Sequence, residues 1–312
     1  MSIITKNPAD KAENIHVFVL GCARSWQRIM KRVYISIRTT HLRSHSAGDM
    51  CEIQLLALGA VVKGRTFHTY ILPTCRVSRT ASKSHGIARI RQVLYHYGTP
   101  IPNKEILSPV TALGRFWRFL EQVLVPSDHD PLRDQPIPIV LVGENTCYGF
   151  QRAKVLCYNI IRFKVPCPKS MRIRFAYDTI SLMAKTLEPT VKKQWRCVSE
   201  IPLYYFLRSC HKVKTRVYGK KISDVTALDE AIAVKELISG IGEIKNESAC
   251  EVLLRVKPTD WTIMYSECLS QVRFPNREVR QRVLKRMALP VLDPLSDEDQ
   301  GAISSEKPAD QT

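Results

Sequence analysis

Apolar and polar residues alternate along Val33-Tyr34-Ile35-Ser36-Ile37-Arg38, the period of a half-buried strand, and this is the first element the pattern predicts. A polar turn rich in Ser, His and Gly follows. The run from Glu52 to Val62 is then almost wholly apolar with β-branched ends, and Lys63-Gly64-Arg65 separates it from a third strand, Thr66 to Leu72, closed by Pro73. Consecutive strands with short turns predict an antiparallel meander. Downstream the period changes. Ala112 to Leu124 places apolar side chains three and four apart, as one face of a helix does. Pro138-Ile139-Val140-Leu141-Val142-Gly143 is a short apolar strand of the kind buried on both faces of a parallel sheet. Gly149 to Ile161 reads as a helix, Arg174 to Asp178 as a strand, and Thr179 to Leu187 as the start of another helix. Val225 to Ile238 is helical with Gly240 at its expected C-terminal cap; Val252 to Val256 suits a strand, and Arg277 to Met287 a basic helix. A meander followed by alternating helices and strands predicts an α/β domain around a mixed sheet.

Charge changes the picture. The 312 residues carry a formal net charge of +18 with a pI near 9.6, which favours polyanionic partners. The segment from Val291 to Thr312 holds six acids and one base, so residues 1–290 carry +23. That tail reads as a disordered, solubilising end. The ten cysteines include no C-x-x-C pair, which argues against structural zinc and for free thiols in a reducing compartment. Ile15 to Cys22 is apolar but short and is followed at once by Arg24, Arg28, Lys31 and Arg32, so it suits neither a signal peptide nor a membrane span. A cytoplasmic or nuclear protein is expected, with no membrane partner.

Several local motifs fall in an informative order. Val33 to Arg38 continues into Thr39-Thr40-His41-Leu42; Glu52 to Val61 and Thr66 to Pro73 follow; then comes Ser84-His85-Gly86-Ile87. Val142-Gly143-Glu144-Asn145-Thr146-Cys147-Tyr148-Gly149, Phe175 to Ile180, and Val225 to Ala231 complete the series. This series, from roughly Arg32 to Ser239, resembles the DEDDh exonucleases of the proofreading and TREX type. The resemblance implies a ribonuclease-H-like α/β fold over residues 32–240, a mixed sheet with three antiparallel strands and then parallel strands flanked by helices. An N-terminal extension would occupy 1–31, a basic C-terminal extension 241–290 and the acidic tail 291–312.

The family's first strand carries an Asp-x-Glu pair, where this chain has Ser36 and Arg38. Asn145 matches the family's Asn, but Gly149 falls where a metal-binding Asp is expected. The final His and Asp, five residues apart, correspond to Val225 and Glu230, so only the last position keeps an acid. Two-metal phosphodiester cleavage needs carboxylates converging on cations about 3.5–4 Å apart and a base to take the water proton. Ser, Arg, Gly and Glu, with Val for the base, do not supply that set. The implied reading is a nucleic-acid binder with an inactive domain, similar in pattern to exuperantia and to the exonuclease-like region of a promyelocytic leukaemia protein isoform. No metal and no cofactor are expected.

Single-stranded DNA or RNA is the expected partner. Arg38, Asn145, Lys83, Arg89, Lys192 and Lys193 are the candidate binding residues, among basic clusters interleaved with Tyr95, Tyr97, Trp195, Tyr204, Tyr205 and Tyr218. Arg38 either holds a phosphate or is a solvated strand-end residue; His85 reads as a turn residue and His68 as facing solvent. Glu144, Asp178, Asp229 and Glu230 either rebuild a metal site or are ordinary surface acids. An active, Mg²⁺-dependent 3′-5′ exonuclease and a protein-interaction scaffold remain the two alternatives.

Overall fold

The structure, a computed structural model, describes residues 30–41, 53–130, 134–143, 146–147, 150–179, 213, 215–254 and 259–271. In chain order the first elements are β1 (Lys31–Thr39), β2 (Leu55–Val62), β3 (Arg65–Ile71), α1 (Arg79–His85), β4 (Ile87–Ile90), β5 (Val93–His96), β6 (Thr99–Pro100) and β7 (Ile106–Leu107). Next come α2 (Pro109–Leu124), β8 (Ile137–Gly143), β9 (Thr146–Cys147), β10 (Phe150–Gln151), α3 (Arg152–Arg162) and β11 (Met171–Asp178). The last are α4 (Ala227–Lys245), α5 (Ala249–Leu254), β12 (Thr259–Asp260) and α6 (Trp261–Gln271).

β1, β2 and β3 form the expected antiparallel meander, and β8 and β11 extend the sheet parallel to β1 on its other side. The full order is β12-β11-β8-β1-β2-β3-β7. The turn from β2 to β3 is Lys63-Gly64, both left-handed at φ of 46° and 78°, a backbone whose twist matches that of the strands it joins. Helix α4 packs over β1 and β2 on one face, with α5 beside it. On the other face α2 meets β3 through Phe67, whose ring lies tilted against those of Phe116 and Phe119, while α3 and α6 pack together. All eight residues of β2 are therefore buried. Asn159 on α3 completes this side: its Oδ1 accepts from the Leu55 N–H, and its Nδ2 donates to the carbonyls of Ile53 and Val155.

Four local expectations change. Helix α4 does not stop at Gly240 but runs to Lys245, capped by Asn246 at φ 53°, because Gly240 makes room for Val213 rather than ending the helix. The Val252 to Val256 run starts inside α5 instead of a strand. Ser248 and Glu251 cap that helix reciprocally, and this capping chemistry outweighs the apolar run. Helix α3 begins at Arg152, after a two-strand hairpin of β9 and β10. The stretch around Ser82-Lys83-Ser84 is a helix, α1, capped by Ser78 and ended by left-handed Gly86, and it leads into a second small sheet, β4-β5-β6. Ile87, Leu94 and Ile101 anchor that sheet against Leu56, Ala57 and Tyr70. The predicted basic helix at Arg277 to Met287 and the tail lie outside the described residues. Among the described residues no helix is long and apolar enough to cross a membrane.

Two glycines separate close approach from empty space. A Cβ on Gly59 would collide with the backbone of Ala227 and Leu228, whereas one on Gly114 in α2 would meet nothing. Gly59→Ala is therefore expected to lower stability by about 1–3 kcal/mol, and Gly114→Ala to raise it by about 0.5–1 kcal/mol. Urea denaturation of both variants checks the pair.

Candidate functional site

Strand alternation puts Tyr34, Ser36 and Arg38 on the face of the sheet that α4 covers. Opposite Ser36 and Arg38 on β2 stand Gly59 and Ala57, too small to fill the space, and beyond them His68 and Tyr70 of β3. The first turn of α4 descends onto Gly59. Its entry is held by a capping box: the Thr226 N–H donates to Asp229 Oδ2 at 3.0 Å and the Asp229 N–H to Thr226 Oγ1 at 3.2 Å. Asp229 also pairs with Lys220 and Arg216. Burial alone would raise its pKa, but the Thr226 donors and the Lys220 ammonium outweigh it and hold the carboxyl below its usual range. Glu230, one residue on, is turned inward.

There it meets Arg38. The guanidinium Nη2 donates to Glu230 Oε1 at 3.3 Å and to the Val225 carbonyl at 2.6 Å, and Nη1 to the His85 carbonyl and to His96 Nε2, both at 3.1 Å. Ser36 Oγ donates to the other carboxylate oxygen at 2.8 Å. Arg38 is 3% exposed, Glu230 7% and Ser36 2%, so the pair lies in the interior. Taking two charges out of water costs several kcal/mol per ion and is offset only when the remaining hydrogen-bonding groups find partners. Here one N–H of the guanidinium, Nε, has none.

Three histidines surround the cation. His85 sits between the Thr39 carbonyl, which its Nε2 reaches at 2.9 Å, and the Ile87 N–H, which its Nδ1 accepts at 3.2 Å; those partners select the neutral ring protonated at Nε2. His96 accepts from an arginine, so it too is neutral there. Burial first, and then Arg38, push the pKa of both His96 and His68 down to about 4. His68 does not face open solvent as expected: it is partly buried, edge-on to Tyr70 at 4.8 Å.

Of the residues singled out in the sequence, Ser36, Arg38, Val225 and Glu230 converge here, Val225 through its carbonyl while its side chain joins the apolar core. Asp178 ends β11 beside Gly143, at the edge where β1 and β8 also end. Lys83 is exposed on α1. Arg89 is partly buried, donating to the carbonyls of Pro73, Cys75 and Arg91 and to the Gln92 side chain. Glu144, Asn145, Gly149, Lys192 and Lys193 lie outside the described residues. His96 was missed in the sequence; the Tyr97-Gly98 turn that places it, left-handed at both residues, was the available signal.

These side chains do not suit a pair of divalent cations. A guanidinium occupies the centre, both oxygens of Glu230 are engaged, and Asp229 is held by its cap and two cations. Among the described residues no group of three or more His, Cys, Asp or Glu is placed to hold a metal ion.

Removing one member of the pair strands the other charge in the interior. Arg38→Met and Glu230→Leu should each cost about 3–5 kcal/mol, and the double variant far less than their sum; chemical denaturation of the four proteins measures the coupling. A second expectation concerns pH. The folded-state pKa values of His68 and His96, near 4, lie below the ordinary 6.5, so the unfolded chain binds more protons between those limits. Their contribution to stability is full above about pH 6.5 and is lost as pH falls towards 4. Urea midpoints between pH 7.5 and 4.5 should fall, and His68→Gln with His96→Gln should flatten that slope.

The sequence matches no protein-family model and no curated protein, so the chemistry of this site rests on its own geometry.

Proposed function

We propose that the chain is a nucleic-acid-binding protein whose DEDDh exonuclease-like, ribonuclease-H-like domain is inactive. One observation carries the reading: at the end of β1, where the resemblance calls for two metal-binding acids, a serine and an arginine close instead onto Glu230. The guanidinium repels a cation, and the carboxylate that could have attracted one is already paired with it. A meander with two further strands parallel to β1 supports the fold half of the proposal. The net charge of +18 supports the binding half, since counterion release from phosphates drives association of basic proteins with DNA or RNA. Arg38 acts in this reading as the plug of the vacated cleft. The described cysteines Cys157, Cys167 and Cys268 are free thiols, which fits a cytoplasmic or nuclear setting.

Two measurements test the proposal. The purified protein should leave 5′-labelled single-stranded DNA and RNA intact with Mg²⁺ or Mn²⁺; metal-dependent shortening from the 3′ end, abolished by Glu230→Gln, would establish an enzyme instead. Fluorescence anisotropy should show oligonucleotide binding with weak sequence preference, its affinity falling roughly 10³-fold between about 50 and 200 mM salt. No binding at low salt points to an interaction scaffold.

A further inference from the structure

From Ile53 to Lys104 the chain contains eight lysines and arginines and no aspartate or glutamate. This segment builds β2, β3, α1 and the small sheet β4-β5-β6. Arg76, Arg79, Lys83 and Arg91 within it are exposed, and none forms an ion pair among the described residues. Arg79 and Lys83 stand four apart on α1, one turn of helix.

Arg89 ties together two parts of this segment. Its guanidinium donates to the Pro73 and Cys75 carbonyls at 2.8 and 3.4 Å, to the Arg91 carbonyl at 3.0 Å and to Gln92 Oε1 at 2.9 Å. The tip of the β4-β5 hairpin is thereby fastened beside the segment that runs into Arg76. Alternation sorts the hairpin's two faces: Ile87 and Leu94 are fully buried and His96 reaches Arg38, so Ala88, Ile90, Val93, Tyr95 and Pro100 share the outer face. Ile90 is 59% exposed there, Tyr95 is partly exposed and Pro100 is exposed.

We infer that this outer face of the β4-β5-β6 sheet, with Arg76, Arg79, Lys83 and Arg91, is the surface that binds single-stranded nucleic acid, bases against Tyr95 and phosphates on the four cations. The inference rests on the proposed nucleic-acid binding and gives it a location outside the plugged cleft. Exposed cations and a partly exposed aromatic ring within one short, acid-free segment suit a strand that offers a phosphate and a π-face at every step. An acidic peptide offers the charge without the stacking. A membrane favours Trp, Phe or Leu at such a tip over one isoleucine and a tyrosine.

The experiment compares two triple variants of the full chain, each with three fewer positive charges. One is Arg76→Gln, Lys83→Gln and Arg91→Gln; the control is Lys164→Gln, Lys169→Gln and Arg172→Gln, three exposed cations near the start of β11. Anisotropy with labelled dT and rU oligonucleotides across a salt series is the readout, with circular dichroism to confirm folding. The first variant should bind at least tenfold more weakly at low salt. Its log–log salt slope should shrink by about 2, since each single-strand phosphate that is no longer neutralised removes about 0.7. The control should keep the wild-type slope. Tyr95→Leu should weaken binding about tenfold with the slope unchanged. Photocrosslinking of a bromouridine oligonucleotide to the wild-type chain, followed by peptide mapping, should mark residues 76–100 and needs no substitution at all. Equal weakening in the two triple variants, or crosslinks only elsewhere, overturns the assigned surface and leaves nucleic-acid binding standing. A wild-type chain that binds neither oligonucleotide, or only vesicles of anionic lipid, overturns both.

Discussion

A guanidinium has been placed inside the protein, and much of the architecture around it is the set of groups that accept from it. Arg38 shares a strand face with Tyr34, and β1 cannot turn that position outward without also exposing Tyr34 and turning Ile35 and Ile37 over. Once interior, the guanidinium needs acceptors on several sides. They come from three segments that meet β1 from far apart in the chain: the end of α1, the end of β5, and the start of α4, which supplies both the Val225 carbonyl and Glu230. Satisfying one side chain thus specifies where four segments meet.

Such a pair is a poor source of stability and a good source of position. Well-packed apolar residues of similar volume commonly do as well or better in an interior, because desolvation takes back most of the Coulomb gain. What apolar residues do not supply is direction. The Val225 carbonyl and Glu230 are engaged from one guanidinium, which settles both the depth and the rotation of α4 over Gly59. Gly59 contributes the close approach and Thr226 with Asp229 the entry angle; the ion pair selects among the orientations these leave open.

The sheet was legible in the sequence wherever a strand had one buried face or two, because period and composition then report burial directly. Val33 to Arg38, Thr66 to Leu72 and Pro138 to Gly143 all correspond to strands whose boundaries shift by one or two residues. Legibility failed where local hydrogen bonds decide. Ser248 with Glu251 makes a helix of an apolar run, and Ser78 with Gly86 makes α1 out of a polar stretch that reads as a turn. Within the site, Ser36, Arg38, Val225 and Glu230 were visible through the resemblance, but their mutual hydrogen bonds were not. A lone arginine on a strand and one half of a buried ion pair look alike in sequence; only the distance between Arg38 and Glu230 separates them.

Two arginines hold the small sheet from opposite ends. From the core, Arg38 takes the His85 carbonyl just before β4 and His96 at the end of β5. At the tip, Arg89 takes the carbonyls of Pro73, Cys75 and Arg91. Between them Ile87 and Leu94 pack down, and Tyr97 lies over Gly86, where a Cβ would strike its ring. The hairpin is short, and an isolated two-stranded ribbon of this length is marginal in water. Its rigidity therefore comes from these anchors, one of which belongs to the buried ion pair. A substitution at Arg38 therefore acts first on the base of this hairpin. The interior charge and the charges displayed on the surface are thus linked through the hairpin: one guanidinium is bonded at its base and the other at its tip, beside Arg91.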